Sequence, residues 1–216
     1  MNLPDQTTHA CAEGADSVRW DTLIPGFRDP VHDSQATFRL LLDALSRPAR
    51  LFRLQLAHTL DTGGSATPVA ALAALYALCD FATPVWLAAP NQTLASALRF
   101  HTGAPLAESA ADAAFVWIDD ASCMPQLADF ALGDAESPEF SATLLIRVAS
   151  LTDGPRLRCS GPGIETTQHL APLGLAPGFW SARAELAGLF PCGIELFLIC
   201  GDTLAGVPRT TRVEEA

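Results

Sequence analysis

Apolar and polar positions alternate along this chain with two periods, 3.6 and 2, and the switches between them outline its elements. In RDPVHDSQATFRLLLDALSRP, Phe38, Leu41, Leu42 and Leu45 recur at helical spacing and are predicted to share one buried face. Asp29 suits the N-cap of that helix, Pro30 its first position, and Pro48 ends it. ARLFRLQL then alternates as a strand with one wet face. TPVAALAALYALCD is apolar nearly all round and predicts a helix pressed against a sheet. TPVWLAAP reads as a short buried strand, NQTLASALRFHTG as a helix capped by Asn91 and closed by Gly103, and AAFVWID as another strand.

The second half continues the alternation. A further helix is predicted over residues 124–132, followed by the acidic loop GDAESPEFS. ATLLIRVAS and RLRCSG read as two strands of a hairpin joined through Asp153-Gly154, a strong turn pair. A helix in GFWSARAELAGLF leads to the strand GIELFLIC and a second hairpin around Gly201-Asp202. Strands alternating with helices give an α/β layer fold, and an antiparallel pair within it makes the sheet mixed. Residues 1–20 carry no period and are predicted to form a mobile arm, leaving 21–216 as a single α/β domain.

Composition narrows the chemistry. Hydrophobic residues are 49% and charged residues 17% of 216, enough apolar content for a self-sufficient core. The net charge of −11 opposes binding to nucleic acid. All 13 basic residues are Arg, so neither a pyridoxal phosphate Schiff base nor a P-loop has the Lys it needs. Cys11, Cys79, Cys123, Cys159, Cys192 and Cys200 form no C-x-x-C pair, and no metal site is expected. The first 20 residues lack the pattern of a secretion signal, and no apolar run is long enough to cross a bilayer. A reducing cytoplasm is the expected compartment.

Candidate site residues are few. SGPGI, with Gly161 and Gly163, could form a backbone anion nest, but Pro162 removes a donor from its middle and the spacing fits no phosphate-loop fingerprint, which favours a plain turn. In GVPRTTRV, an extended chain would point Arg209 and Arg212 to opposite faces, as suits an edge strand better than a joint phosphate clamp. His101 falls in the last turn of its helix, where capping is expected, and His169 lies beside the glycine loop. Asp119 and Asp120 end a strand without a partner at metal-ligand spacing, and there is no G-x-S-x-G elbow. No residue presents itself as catalytic.

Taken together, DPVHDSQATFRLLLDALSRP, TPVWL, RFHTGAPL, ATLLIRVASL, SGPGI, FPCGIELFLICG and GVPRTTRV, in this order, resemble the PhnH family of the bacterial carbon-phosphorus lyase system over about residues 26–213. Ala49 and Glu195 depart from the Gly and Asp common in that family. The resemblance implies a three-layer α/β sandwich with a mixed sheet, similar to the large domain of pyridoxal-phosphate-dependent transferases but without the cofactor site, and therefore no cofactor. It also implies a core complex with the G, I and J subunits, in which adenine of ATP is displaced by a phosphonate to give α-D-ribose 1-phosphonate 5-triphosphate, and pairing of the subunit with itself or with J. Two roles follow. In one, the chain is a scaffold without turnover of its own, with His101, Thr210 and Thr211 at interfaces; in the other, Arg209, Arg212, His169, Gly161 and Gly163 contribute a phosphate or nucleotide site.

Overall fold

The structure, a computed structural model, describes residues 23–215; the arm expected over residues 1–20 lies outside them. Its centre is a six-stranded mixed sheet of β1 (Phe52–Arg53), β2 (Val85–Leu87), β3 (Phe115–Ile118), β4 (Thr143–Arg147), β7 (Glu195–Cys200) and β8 (Thr203–Val207). Their spatial order is β1-β8-β7-β4-β3-β2. Strands β2, β3, β4 and β7 run parallel, β8 turns back antiparallel to β7, and β1 pairs antiparallel with β8 and so runs in the direction of the other four. A smaller sheet holds β6 (Gln168–Leu170), β5 (Leu157–Ser160) and β9 (Arg212–Glu215) in that order, all antiparallel.

The parallel strands are covered on both faces, which is why they read as unbroken apolar runs. Successive residues divide between two cores, as the strand period requires. Leu145, Phe197 and Ile199 face helices α1 (Pro30–Ser46), α2 (Val69–Leu78) and α3 (Gln92–Thr102), meeting Leu41, Leu72 and Leu98. Leu144, Ile146, Leu196 and Leu198 face the other way, toward Phe130, Cys159, Leu170 and Phe179. Those last residues come from 3-10 turns, the small sheet and α4 (Phe179–Leu186). The described architecture is therefore a helical layer, a mixed sheet, and a layer built mostly from turns and the small sheet.

The caps form as the sequence requires. The Asp29 carboxylate accepts from the His32 amide, Asn91 accepts from the Leu94 amide, and Gly103 closes α3 in the left-handed region at φ 73°. Four expectations need correction. The buried side of α1 is Asp33, Thr37, Leu41 and Ala44, whereas Phe38 and Leu42 are 50% and 57% exposed. Small residues win because α1 lies against the β8 backbone: a Cβ on Gly206 would stand 2.5 Å from the Ala44 carbonyl oxygen. The strand in ARLFRLQL shrinks to two residues.

Residues 124–132 form no α-helix. Their backbone is drawn into the mouths of β4 and β7 instead, Ala142 N–H donating to Ala131 at 2.7 Å and Gly193 N–H to Leu132 at 2.8 Å. The β4–β5 hairpin is also absent. Strand β4 already has β3 and β7 on its two sides, so it has no free edge, and β5 joins the small sheet.

Candidate functional site

Val207 ends β8, residues 208–211 turn, and Arg212 begins β9, so GVPRTTRV is not one extended strand. The turn is closed by Thr211 N–H donating to Pro208 at 2.9 Å. This bend places Arg209 inward and Arg212 outward. A depression of about 380 Å³ lies beside it, bordered by Gly161, Phe190, Arg209, Thr210, Thr211 and Arg212. Five of the residues singled out in the sequence therefore meet at one place.

Arg209 is engaged on nearly every side. Its Nε donates to Glu195 Oε1 at 2.5 Å and its backbone N–H to Glu195 Oε2 at 2.9 Å. Nη1 donates to the carbonyls of Pro138 and Pro191, at 3.0 and 2.9 Å, and Nη2 to Ser141 Oγ at 2.7 Å. A guanidinium has five N–H groups, and four of them are directed here into the protein's own backbone and side chains. Arg183, in α4, completes the cluster from beneath. It is 5% exposed and donates from Nη1 to Thr211 at 2.8 Å and from Nη2 to Pro208 at 2.6 Å.

Burial lowers the Arg183 pKa, and electrostatic interaction with Glu195, then with Cys159 once its thiol ionises in alkali, opposes that shift. The cluster thus sets one buried and one half-buried guanidinium group against one carboxylate and several carbonyl dipoles. It ties α4, β7, the 208–211 turn and the segment around Pro138 to one another. Nothing in local periodicity marks Arg183 or Glu195 for this role, because each sits singly among apolar neighbours and finds its partners only through the tertiary fold.

Of the remaining candidates, Gly161 touches the same turn, whereas Gly163 and His169 do not converge on Arg209. Gly161, at φ 129°, takes the close approach of the Thr210 carbonyl, 2.9 Å from where a Cβ would stand. Gly163, at φ 82°, backs onto the end of α1, with Ser46 O 2.3 Å from the same construction. The loop is tied by Ile164 N–H donating to Gly161 at 3.1 Å. It is a close-packed turn joining the small sheet to α1. His169 stands in β6 opposite Arg158, beside a different depression of about 330 Å³.

The assigned interface residues also divide. Thr211 is 1% exposed, too buried to meet a partner, whereas Thr210 is half-buried at the cavity rim. His101 does not cap its own helix: Nε2 lies 2.9 Å from the Ile24 carbonyl, and the ring packs edge-on against Tyr76 at 5.1 Å. It straps the segment before α1 to α3.

The two buried thiols are muted. Burial pushes the Cys79 thiol up to about 12, with help from Asp80, and the Cys159 thiol up to about 11 despite Arg183. Neither offers a thiolate at neutral pH. Among the described residues no three His, Cys, Asp or Glu side chains are grouped as metal ligands, and no helix is long and apolar enough to cross a membrane.

Residues 25–214 match the family of bacterial phosphonate metabolism proteins, PhnH. The chain is 36% identical over 192 residues to the α-D-ribose 1-methylphosphonate 5-triphosphate synthase subunit PhnH of Rhizobium meliloti (strain 1021), covering 87% of this chain and 94% of that protein. It is also 36% identical over 179 residues to HtxG of Stutzerimonas stutzeri, described as a candidate C-P lyase subunit protein, covering 83% and 85%. The match spans both cores, the cluster around Arg209 and the small sheet, and the chain belongs to the PhnH family of phosphonate metabolism.

Proposed function

We propose that this chain is a structural subunit of a carbon-phosphorus lyase core complex with G, I and J subunits, in the cytoplasm, and that it has no turnover alone. In that assembly it supports displacement of adenine from ATP by a phosphonate, giving α-D-ribose 1-phosphonate 5-triphosphate. On its own it pairs with itself. The likeness of its large sheet to that of pyridoxal-phosphate-dependent transferases belongs to the same reading, as does the single domain over residues 21–216.

The state of Arg209 carries the proposal. The cation best placed beside the cavity is spent on Glu195, Ser141 and two carbonyls, so it supports the fold and has little left for a phosphate. The names of the two relatives, each a subunit, support the assembly. A phosphate site shared by Arg209, Arg212, His169, Gly161 and Gly163 has less support, since Gly163 and His169 border other surfaces.

Co-expression with G, I and J followed by sedimentation tests the reading. A stable complex containing all four chains is expected, and its adenine-releasing activity should vanish when this chain is omitted. Full activity of the G, I and J mixture without it would refute the proposal.

A further inference from the structure

Arg183 carries five N–H groups and is 5% exposed. Nη1 and Nη2 each donate once, to the carbonyls of Thr211 and Pro208, and both acceptors are uncharged. Among the described residues its buried Nε–H has no partner. Buried donors are nearly always paired, so an orphan on a permanent cation calls for an acceptor.

A cavity of about 10 Å³ lies against this side chain, bordered by Arg183, Leu186, Ala187, Gly193, Ile194 and Arg209. Gly193 keeps it open, because a Cβ there would stand 3.3 Å from Arg209 Cβ. Two guanidinium-bearing side chains therefore share one small space whose remaining walls are a glycine and aliphatic groups.

The charges around this space do not cancel. Glu195 is the one carboxylate acting on Arg183 among the described residues, and both its oxygens already accept from Arg209. The Cys159 thiol, pushed up to about 11, is neutral at pH 7. Arg183 sits in the last turn of α4, where helix carbonyls offset part of a positive charge but supply no whole negative one. Two cations against one carboxylate leave one positive charge in excess.

We infer that the cavity between Arg183 and Arg209 binds one monatomic anion, chloride. Size sets the class: such a volume holds about one water-sized occupant, so phosphates, phosphonates and carboxylic acids are too large. Charge sets the species, since water would satisfy the Nε–H but leave the excess charge unanswered. The net charge of −11 opposes any anion at long range. At physiological salt, however, that field is screened over about 8 Å, whereas both arginines border the cavity itself. Exposed Ala187 marks the way in. The bound ion joins α4 to the strand β7 and the 208–211 turn, and requires no partner subunit.

Urea unfolding of the intact chain, at constant ionic strength with methanesulfonate replacing chloride, tests this. For a Kd on the order of 10 mM, raising chloride from about 1 to about 100 mM should increase the folding equilibrium constant about tenfold. Methanesulfonate, too bulky for the cavity, should give no gain, and bromide should substitute for chloride. Chloride NMR lines should broaden in the presence of the protein and sharpen again when bromide competes. Ala187→Met fills the cavity from its exposed rim without altering a charge, and Arg183→Met removes the cation; both should lose the chloride dependence. Because Arg183→Met also frees two carbonyls, Ala187→Met decides the matter if the former does not fold.

Equal stability in chloride and methanesulfonate would overturn the inference and leave the cavity to water. So would an equal chloride gain in wild type and Ala187→Met, which would trace the effect to the surface. A gain from inorganic phosphate as large as that from chloride would overturn it as well, since the cavity excludes that ion.

Discussion

Arg209 and Glu195 meet with side chains 17% and 19% exposed, so each charge keeps only limited contact with water. Removing one partner of a fully buried pair costs about 3–5 kcal/mol, and for this half-buried pair, whose remaining charge still meets some water, the loss falls to about 2–3 kcal/mol. Arg209→Ala should lower unfolding stability by that amount in urea titration, and Glu195→Gln by less, since the amide still accepts from the Arg209 N–H. A loss under about 0.5 kcal/mol, the range of ordinary surface substitutions, would mean that the cluster does not hold the fold together. The thiols offer a second check at this scale. Cys123 is exposed and should label rapidly with a thiol reagent at pH 8, while Cys79 and Cys159, raised by burial, should label only on unfolding. Rapid labelling of Cys159 in the native protein would show that the small sheet opens readily.

Among the elements, α1 and β8 pack backbone to backbone at Gly206, and an added methyl meets the Ala44 carbonyl. Gly206→Ala should cost about 1–3 kcal/mol, the range for overpacked cores, and lower the melting midpoint accordingly. The edge strand β1 is pinned by Arg53, which donates to Asp202 at 2.6 Å, and by Leu54 N–H donating to Asp202 at 2.8 Å. Arg53 first, then Thr203, holds the Asp202 carboxyl below its ordinary 3.8. A depressed carboxylate contributes stability that is complete above its unfolded value and is lost as pH falls through the folded one. The protection of the Leu54 amide, its exchange rate relative to an unfolded chain at the same pH, should therefore fall below about pH 3.8 before that of the central strands; simultaneous loss would show that β1 is no weaker than the core.

Legibility at this scale followed how local each signal is. Asp29-Pro30 and Asn91 with Gly103 marked α1 and α3 because a cap is decided by atoms within four residues. The 124–132 helix and the β4–β5 hairpin failed because distant partners decided them: Ala142 and Gly193 claimed the backbone of the first, and β3 and β7 occupied both edges of β4 in the second. The site divided in the same way. Gly161, Arg209, Thr210, Thr211 and Arg212 are close in space because a short turn joins them across β9 to β5, whereas Arg183 arrives from α4 and left no mark in the sequence.

For the whole molecule, the two cores on opposite faces of one sheet account for its rigidity, and the buried arginine cluster fastens the smaller sheet to the larger. We propose that this framework supports a phosphonate-processing assembly without chemistry of its own. The most direct measurement is adenine release from ATP and methylphosphonate by the purified chain alone, followed chromatographically beside the four-subunit mixture. Release is expected from the mixture and none above the buffer rate from the chain; turnover by the isolated chain at a rate comparable to the mixture would show that it carries chemistry of its own.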